Sequence, residues 1–213
     1  NVRFEHYIYP LLASEGSLCA YQTNHRYYSI GSRDRLQSTE SFLLPQKAVI
    51  LDRDGVLNKR PPPAEYVKSW EEFEWIPGSL DALKLLKQSG YKIIVITNQP
   101  GISRGFMKES DLNEVHNNMV RAATEFGATI DHIYYCPHGW NEGCYCRKPQ
   151  PGMLFSAQRD HHLDLSRTLF IGDDERDKQT SISGGCQFQF VTDTVRLIDI
   201  AKWYVSGTGE TIK

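Results

Sequence analysis

The chain has 213 residues, a formal net charge of −2, 40% hydrophobic and 23% charged residues. This is the profile of a globular protein long enough to bury a sizeable core as one domain with an appendage. The near-neutral charge argues against a surface that wraps nucleic acid, and no apolar run approaches the roughly 18 residues needed to cross a bilayer. Residues 1–20 include Glu5, His6 and Glu15 without a basic start and apolar core, so no secretory signal is expected. Of the five cysteines, Cys136, Cys144 and Cys146 crowd around His138. That clustering reads as metal ligation in a reducing compartment rather than a disulfide frame, which makes the cytoplasm the expected location.

In chain order, residues 1–46 form an appendage. A short helix is expected over Phe4–Leu12, a tyrosine-rich strand over Leu18–Ile30, a helix opening at Gly31-Ser32-Arg33-Asp34, and a connector over Ser38–Lys47. The chain opens on Asn1 rather than Met, as a fragment or a trimmed product would. From residue 47, short apolar runs alternate with longer helical patterns. Strands are expected at Ala48–Leu51, Lys92–Thr97, His132–Tyr135, Thr168–Ile171 and Phe188–Val191. Helices are expected near Gly78–Gln88, Glu109–Phe126, Gly152–His161, Glu175–Ser183 and Thr194–Tyr204. In the first of these helices Leu80, Leu83 and Leu86 make one apolar face, and Gly90 is its expected stop. The alternation predicts a three-layer α/β/α domain over 47–205 with a mostly parallel sheet, followed by a tail at 206–213. Ligands then bind beyond the carboxyl ends of the strands.

Three motifs meet that rim. The first strand runs into Asp52-Arg53-Asp54-Gly55-Val56-Leu57-Asn58. Residues two apart on a strand project to the same side, so Asp52 and Asp54 leave the sheet together, and Gly55 lets the backbone turn after them. Like charges this close need a cation between them or a proton on one. Mg2+ suits the first case, and a protonatable partner beside a carboxylate nucleophile suits acid–base chemistry. The second strand ends in Thr97-Asn98-Gln99-Pro100-Gly101, a hydroxyl, an amide and a glycine able to hold a phosphoryl group. The fourth ends in Gly172-Asp173-Asp174-Glu175-Arg176-Asp177, where Asp173 is expected as a further metal ligand, with Asp174 and Asp177 as helpers. Acidic residues here also suit a helix start.

Cys136-Pro137-His138 and Cys144-Tyr145-Cys146 supply three thiolates and an imidazole, the donor set of a closed, tetrahedral structural zinc site. Arg147 and Lys148 follow at once, so the metal would set where their charges point, and Lys148 can act as a fixed point charge near a phosphate. Cys19 and Cys186 read as packing residues, and His161-His162 as a helix end.

The Asp-Arg-Asp-Gly-Val-Leu-Asn run, Thr97-Asn98, Lys148 and Gly172-Asp173 together resemble the haloacid dehalogenase superfamily of aspartate-dependent phosphatases, over about residues 47–205. Ile133-Tyr134-Tyr135-Cys136-Pro137-His138 and Cys146-Arg147-Lys148-Pro149 narrow the resemblance to its heptose-bisphosphate and histidinol-phosphate branches, with Arg147 favouring the heptose branch. The five-residue gap within the zinc loop and the prolines of Lys59–Glu65 depart from that pattern. The resemblance implies that Asp52 is the nucleophile and Asp54 the general acid and base. It also implies that Thr97 and Lys148 steady the phosphoryl oxygens. Asn58, Tyr66, Asn98, Gln99 and Arg147 would contact substrate, and Asp52, Asp54 (through its backbone carbonyl), Asp173 and Asp174 would surround Mg2+.

The implied reaction removes a phosphate from a sugar bisphosphate, heptose 1,7-bisphosphate foremost, in nucleotide-heptose and lipopolysaccharide synthesis. It would be carried out by a monomeric domain with an open pocket and neither a nucleic-acid nor a membrane partner. Histidinol phosphate as substrate, or a non-catalytic sugar-phosphate-binding role, are the alternatives. An end phosphatase for nucleic acid would want a basic track. Residues 1–46, around Tyr28–Leu36, resemble the end of a sugar-1-phosphate nucleotidyltransferase, which implies a fused or associated transferase.

Overall fold

The structure, a computed structural model, describes residues 4–19 and 31–207. The chain divides into two compact units, Asn1–Phe42 and Leu43–Lys213. In the first, α1 (Phe4–Ser14) and α2 (Arg33–Leu43) are helical. The expected connector from Ser38 is corrected here, because α2 continues to Leu43 and leaves only residues 44–47 as a link into the sheet. The expected strand over 18–30 falls almost wholly outside the described residues. Cys19 is exposed rather than packed.

The second unit carries a five-stranded, wholly parallel sheet in the order β3-β2-β1-β4-β5. Its strands are β1 (Ala48–Leu51), β2 (Lys92–Asn98), β3 (His132–Cys136), β4 (Leu169–Gly172) and β5 (Gln187–Phe190). Four helices join them, α3 (Ser79–Gln88), α4 (Glu109–Glu125), α5 (Gly152–His161) and α6 (Glu175–Gly184), and α7 (Leu197–Ser206) follows β5. The order reverses about β1: the chain moves outward to β2 and β3, then crosses to β4 on the other side. The crevice between the carboxyl ends of β1 and β4 is therefore a topological switch point, where parallel sheets bind their ligands.

The period-two alternation of the central strands sorts their side chains into two cores. Val49, Leu51, Ile93, Val95, Leu169 and Ile171 face a core built with Ala82, Leu83 and Leu86 of α3, Val115 and Met119 of α4, and Ile200 of α7. Ala48, Ile50, Ile94, Ile96 and Phe170 face the other, against Met153, Leu154 and Ala157 of α5, with Cys186 packed at its edge. Both faces of the sheet are thus covered, which explains why these strands read as continuous apolar runs. Gly90, with φ 80°, follows the last turn of α3 as expected. Among the described residues no helix is long and apolar enough to cross a membrane.

Leu83 is fully buried beneath the sheet, so Leu83→Ala should cost about 3 kcal/mol of unfolding free energy through lost transfer and a residual cavity. Urea unfolding of the two proteins measures it.

Candidate active site

Each carboxyl end of the four strands β1 to β4 delivers one part of the site. After β1 the Asp52 amide donates to the Ile171 carbonyl at 3.0 Å, which keeps Asp52 in line with β4 for one more residue. The chain then turns, with the amides of Leu57 and Asn58 donating to the Arg53 carbonyl at 2.9 and 3.2 Å. Gly55 sits at φ 91°, and a Cβ there would lie 1.7 Å from Asp173 Oδ2. Only glycine lets the β1 turn and the β4 end approach this closely. At β4, a Cβ on Gly172 would meet Asp177 Cβ at 2.4 Å, so the second glycine makes room for an acidic side chain coming off α6.

Lys148 is the hub. It is 3% exposed, and its Nζ lies 2.8 Å from Asp52 Oδ1 and 2.7 Å from Asp177 Oδ1, and donates to the Ile96 carbonyl at 3.2 Å. Burial works against its charge, but Asp52 and Asp177 outweigh that and raise its pKa. Its backbone is clamped by Asn98, whose Nδ2 donates to the Lys148 carbonyl and whose Oδ1 accepts from the Lys148 amide, both at 3.0 Å. Asn98, expected at the phosphate, thus commits both amide atoms to placing Lys148.

The two aspartates at the end of β1 have opposite surroundings. Burial pushes the Asp52 carboxyl up to about 7, against the pull of Lys148. Burial also opposes the charge of Asp54, but Arg53 and hydrogen bonds from Asn58 and Gln99 outweigh it and lower its pKa. Arg53 grips Asp54 with Nε and Nη2 at 2.9 to 3.1 Å. Asn58 donates to Asp54 Oδ1 and Gln99 to Asp54 Oδ2, each at 2.9 Å. Asn58 and Gln99, read as substrate contacts, are 0% and 1% exposed. They hold Asp54 from below and are not among the residues that line the cavity above it. Gln99 also donates to the Thr97 hydroxyl at 2.9 Å, tying Thr97 to the same group.

One oxygen each from Asp52, Asp173 and Asp177 lie within 4.8 Å of one another, a compact donor set of hard carboxylate oxygens that fits a divalent cation. Asp174, expected beside the metal, is used otherwise. It caps α6 by accepting from the Arg176 amide at 2.9 Å, and it pairs with the Arg176 guanidinium at 2.8 Å. Asp177, in the first turn of α6, takes the inward place. Cys136, His138, Cys144 and Cys146 also gather their donor atoms within 4.8 Å, with all three cysteines free thiols. A tetrahedron of N and S donors fits there. Arg147, just beyond it, donates to the His138 carbonyl at 3.0 Å.

Above Asp52, Thr97 and Lys148 opens a cavity of about 390 Å³ whose walls include Arg60, Tyr66, Trp140, Arg147 and Arg176. Tyr66 and Arg147, expected to contact substrate, are among the residues that line it. Arg60 bridges Asp173 at 2.6 Å and Asp174 at 3.5 Å. Arg104 donates to the Tyr66 hydroxyl at 2.7 Å and lies over the Phe106 and Trp140 rings.

A family model described as polynucleotide kinase 3 phosphatase matches residues 47–191. The D-glycero-beta-D-manno-heptose-1,7-bisphosphate 7-phosphatase of Bordetella bronchiseptica is 41% identical over 140 residues, 66% of this chain and 77% of that protein. The D-glycero-alpha-D-manno-heptose-1,7-bisphosphate 7-phosphatase of Campylobacter jejuni is 39% identical over 137 residues, 64% and 77% of the two chains. A crystal structure of D,D-heptose 1,7-bisphosphate phosphatase from B. bronchiseptica, complexed with magnesium and phosphate, superposes with a TM-score of 0.70. It is 34% identical over 75% of this chain and 98% of that one. This chain belongs to the haloacid dehalogenase-like phosphatases.

The sequence reading of this phosphatase missed Arg53, His116, Arg60, Arg104 and Trp140. A signal existed for His116. It occupies the same helical stripe as Leu112, Val115, Met119 and Ala123, an apolar face on which an unpartnered imidazole is costly. Its partner is Arg53 Nη1, 3.2 Å from His116 Nε2. A guanidinium only donates, so Nε2 must offer its lone pair and the ring must be neutral.

Burial, and then the Arg53 charge, push the His116 pKa from 6.5 down to about 3, against a smaller opposing effect of Asp54. Between these values the unfolded chain holds a proton that the folded one does not, so this residue costs stability as pH falls below 6.5. His116→Gln keeps an acceptor without the titration. Relative to the parent, the variant should gain up to about 1.4 kcal/mol per pH unit between pH 6 and 4. Parallel denaturant titrations across that range read the difference; a constant offset would contradict it.

Proposed function

We propose that this phosphatase removes the 7-phosphate of D-glycero-D-manno-heptose 1,7-bisphosphate through a phosphorylated Asp52. The single observation that carries the reading is the floor of the cavity. There a buried carboxylate, Asp52, stands against the buried Lys148 ammonium, with Thr97 beside them and a second carboxylate, Asp54, fixed two residues on. The names of the two heptose-bisphosphate relatives support the substrate. Arg60, Arg147 and Arg176 on the walls suit a substrate with two phosphates. Histidinol phosphate, with a single phosphate, makes less use of them.

In this reading an Asp52 oxygen attacks phosphorus, and the bond to the sugar oxygen breaks as that oxygen takes a proton from Asp54. Lys148 and the Thr97 hydroxyl stabilise the phosphoryl oxygens. The grip of Arg53 keeps Asp54 ionised in the resting site. The incoming phosphate charge favours its taking up the proton needed for the first step. Asp54 then removes a proton from the water that hydrolyses the acyl phosphate, releasing inorganic phosphate and restoring Asp52. Mg2+, held by Asp52, Asp173, Asp177 and the carbonyl of Asp54, would supply positive charge to the same oxygens. Zn2+ on Cys136, His138, Cys144 and Cys146 would hold the loop that leads into Arg147 and Lys148. Its free thiols suit the cytoplasm. We read residues 1–46 as the end of an upstream nucleotidyltransferase unit, on the sequence around residues 28–36.

Asp52→Asn should fold normally and lose roughly a thousandfold or more in turnover, as followed by phosphate release from heptose bisphosphate; near-parental turnover would remove the nucleophile. Histidinol phosphate and a 3′-phosphorylated oligonucleotide, run in the same assay, should be poorer substrates. Preference for the oligonucleotide would replace the sugar-phosphate reading with the activity named by the family model. Stripping zinc with a thiol-competent chelator should raise KM severalfold by loosening Lys148 and Arg147. Unchanged KM in a metal-free sample would sever that link.

A further inference from the structure

Arg53 is the largest side chain in the protein with no exposed surface among the described residues. Its charge is met on one side by both oxygens of Asp54, and on the other by the neutral Nε2 of His116 at 3.2 Å. His116 comes from the buried face of α4, sixty-three positions along the chain. Its ring packs near Tyr135, centroids 5.8 Å apart, and the Tyr135 hydroxyl is held by Glu109 at the start of α4. The side chain is too deep to touch a ligand and is not needed for burial, since an aliphatic residue would fill the stripe at lower desolvation cost.

We propose that His116 is a positioning residue for hydrolysis, acting on Asp54 through Arg53. A guanidinium is planar and rigid, so fixing Nη1 at His116 fixes the direction in which Nε and Nη2 present their hydrogens. Asp54 is thereby held in one rotamer, with Asn58 and Gln99 each taking one oxygen. Without the acceptor on α4, Arg53 keeps its charge but loses its far anchor, and the Asp54 carboxyl swings with it. The consequence falls on proton transfer and not on the capture of phosphate, which belongs to Lys148 and Thr97. This inference rests on the role proposed above for Asp54.

The test uses the full chain with Mg2+ and heptose bisphosphate, and compares His116→Leu, His116→Gln and Met119→Ala. Met119 lies one turn further on the same buried face, in the apolar core, so it reports on packing alone. His116→Leu should lose about tenfold to a hundredfold in kcat, with KM changed less than about twofold. His116→Gln, whose amide oxygen reaches the place of Nε2, should recover kcat to within about threefold of the parent. Met119→Ala should lower thermal stability and leave kcat alone.

If the leucine variant does not fold, His116→Asn replaces it. Its amide is too short to reach Arg53, and it should show the same loss of kcat. The inference is overturned by parental kcat in the leucine or asparagine variant, by failure of glutamine to restore it, by a loss carried in KM, or by an equal loss in Met119→Ala. A parent that hydrolyses no phosphate ester, or an Asp54→Asn variant with full turnover, sinks the functional reading instead, so the two failures are told apart.

Discussion

A buried ammonium between two buried carboxylates is the constraint from which the rest of the site follows. Lys148 has almost no contact with water, so its charge persists only while Asp52 and Asp177 face it. Breaking such a group by removing one member leaves an uncompensated charge, which costs far more than an exposed ion pair contributes. The three residues come from the end of β1, the loop before α5 and the first turn of α6. The crevice at the switch point is thereby tied shut from below by electrostatics, and its upper face is left for a ligand. A cation and a phosphoryl group can enter such a place because the negative and positive partners are already separated and oriented.

The surrounding parts read as devices that keep this group in place. Asn98 holds the backbone of Lys148 by both amide atoms, and Arg147 ties the same segment back to the carbonyl of His138. The cysteine–histidine loop thus meets the cavity through Trp140 within it and through Arg147 and Lys148 just beyond it. Arg53, Asn58 and Gln99 form a second, separate support under Asp54. Two carboxylates on one strand end are thus set to different charge preferences, one by burial and one by a buried cation.

Much of this was legible before the fold was known. The apolar runs at 48–51 and 169–171 are buried on both sides, so their composition alone marks them as central strands. The glycine at 55 marks the turn that follows the first strand. The cysteine–histidine spacing from the end of β3 is local enough to survive without coordinates. Asn58, Gln99 and Asn98 were legible as site residues but not as supports. An amide has the same donors and acceptors whether it meets a ligand or a neighbour, and only burial separates the two. Asp174 and Asp177 present the same ambiguity three residues apart on one helix: the first caps it, the second points inward, and the sequence treats them as equals.

By itself the sequence determined the elements, the rim on which the motifs meet, and the chemical types that gather there. These are set by local propensity and by a periodicity read within a few residues. Only the tertiary structure decided which of those groups are partners: His116 with Arg53, Lys148 with Asp177, Arg60 with Asp173. Such pairings join residues far apart in the chain, and their strength depends on burial and on ångström-scale distances. Neither exists until the helices close over the sheet.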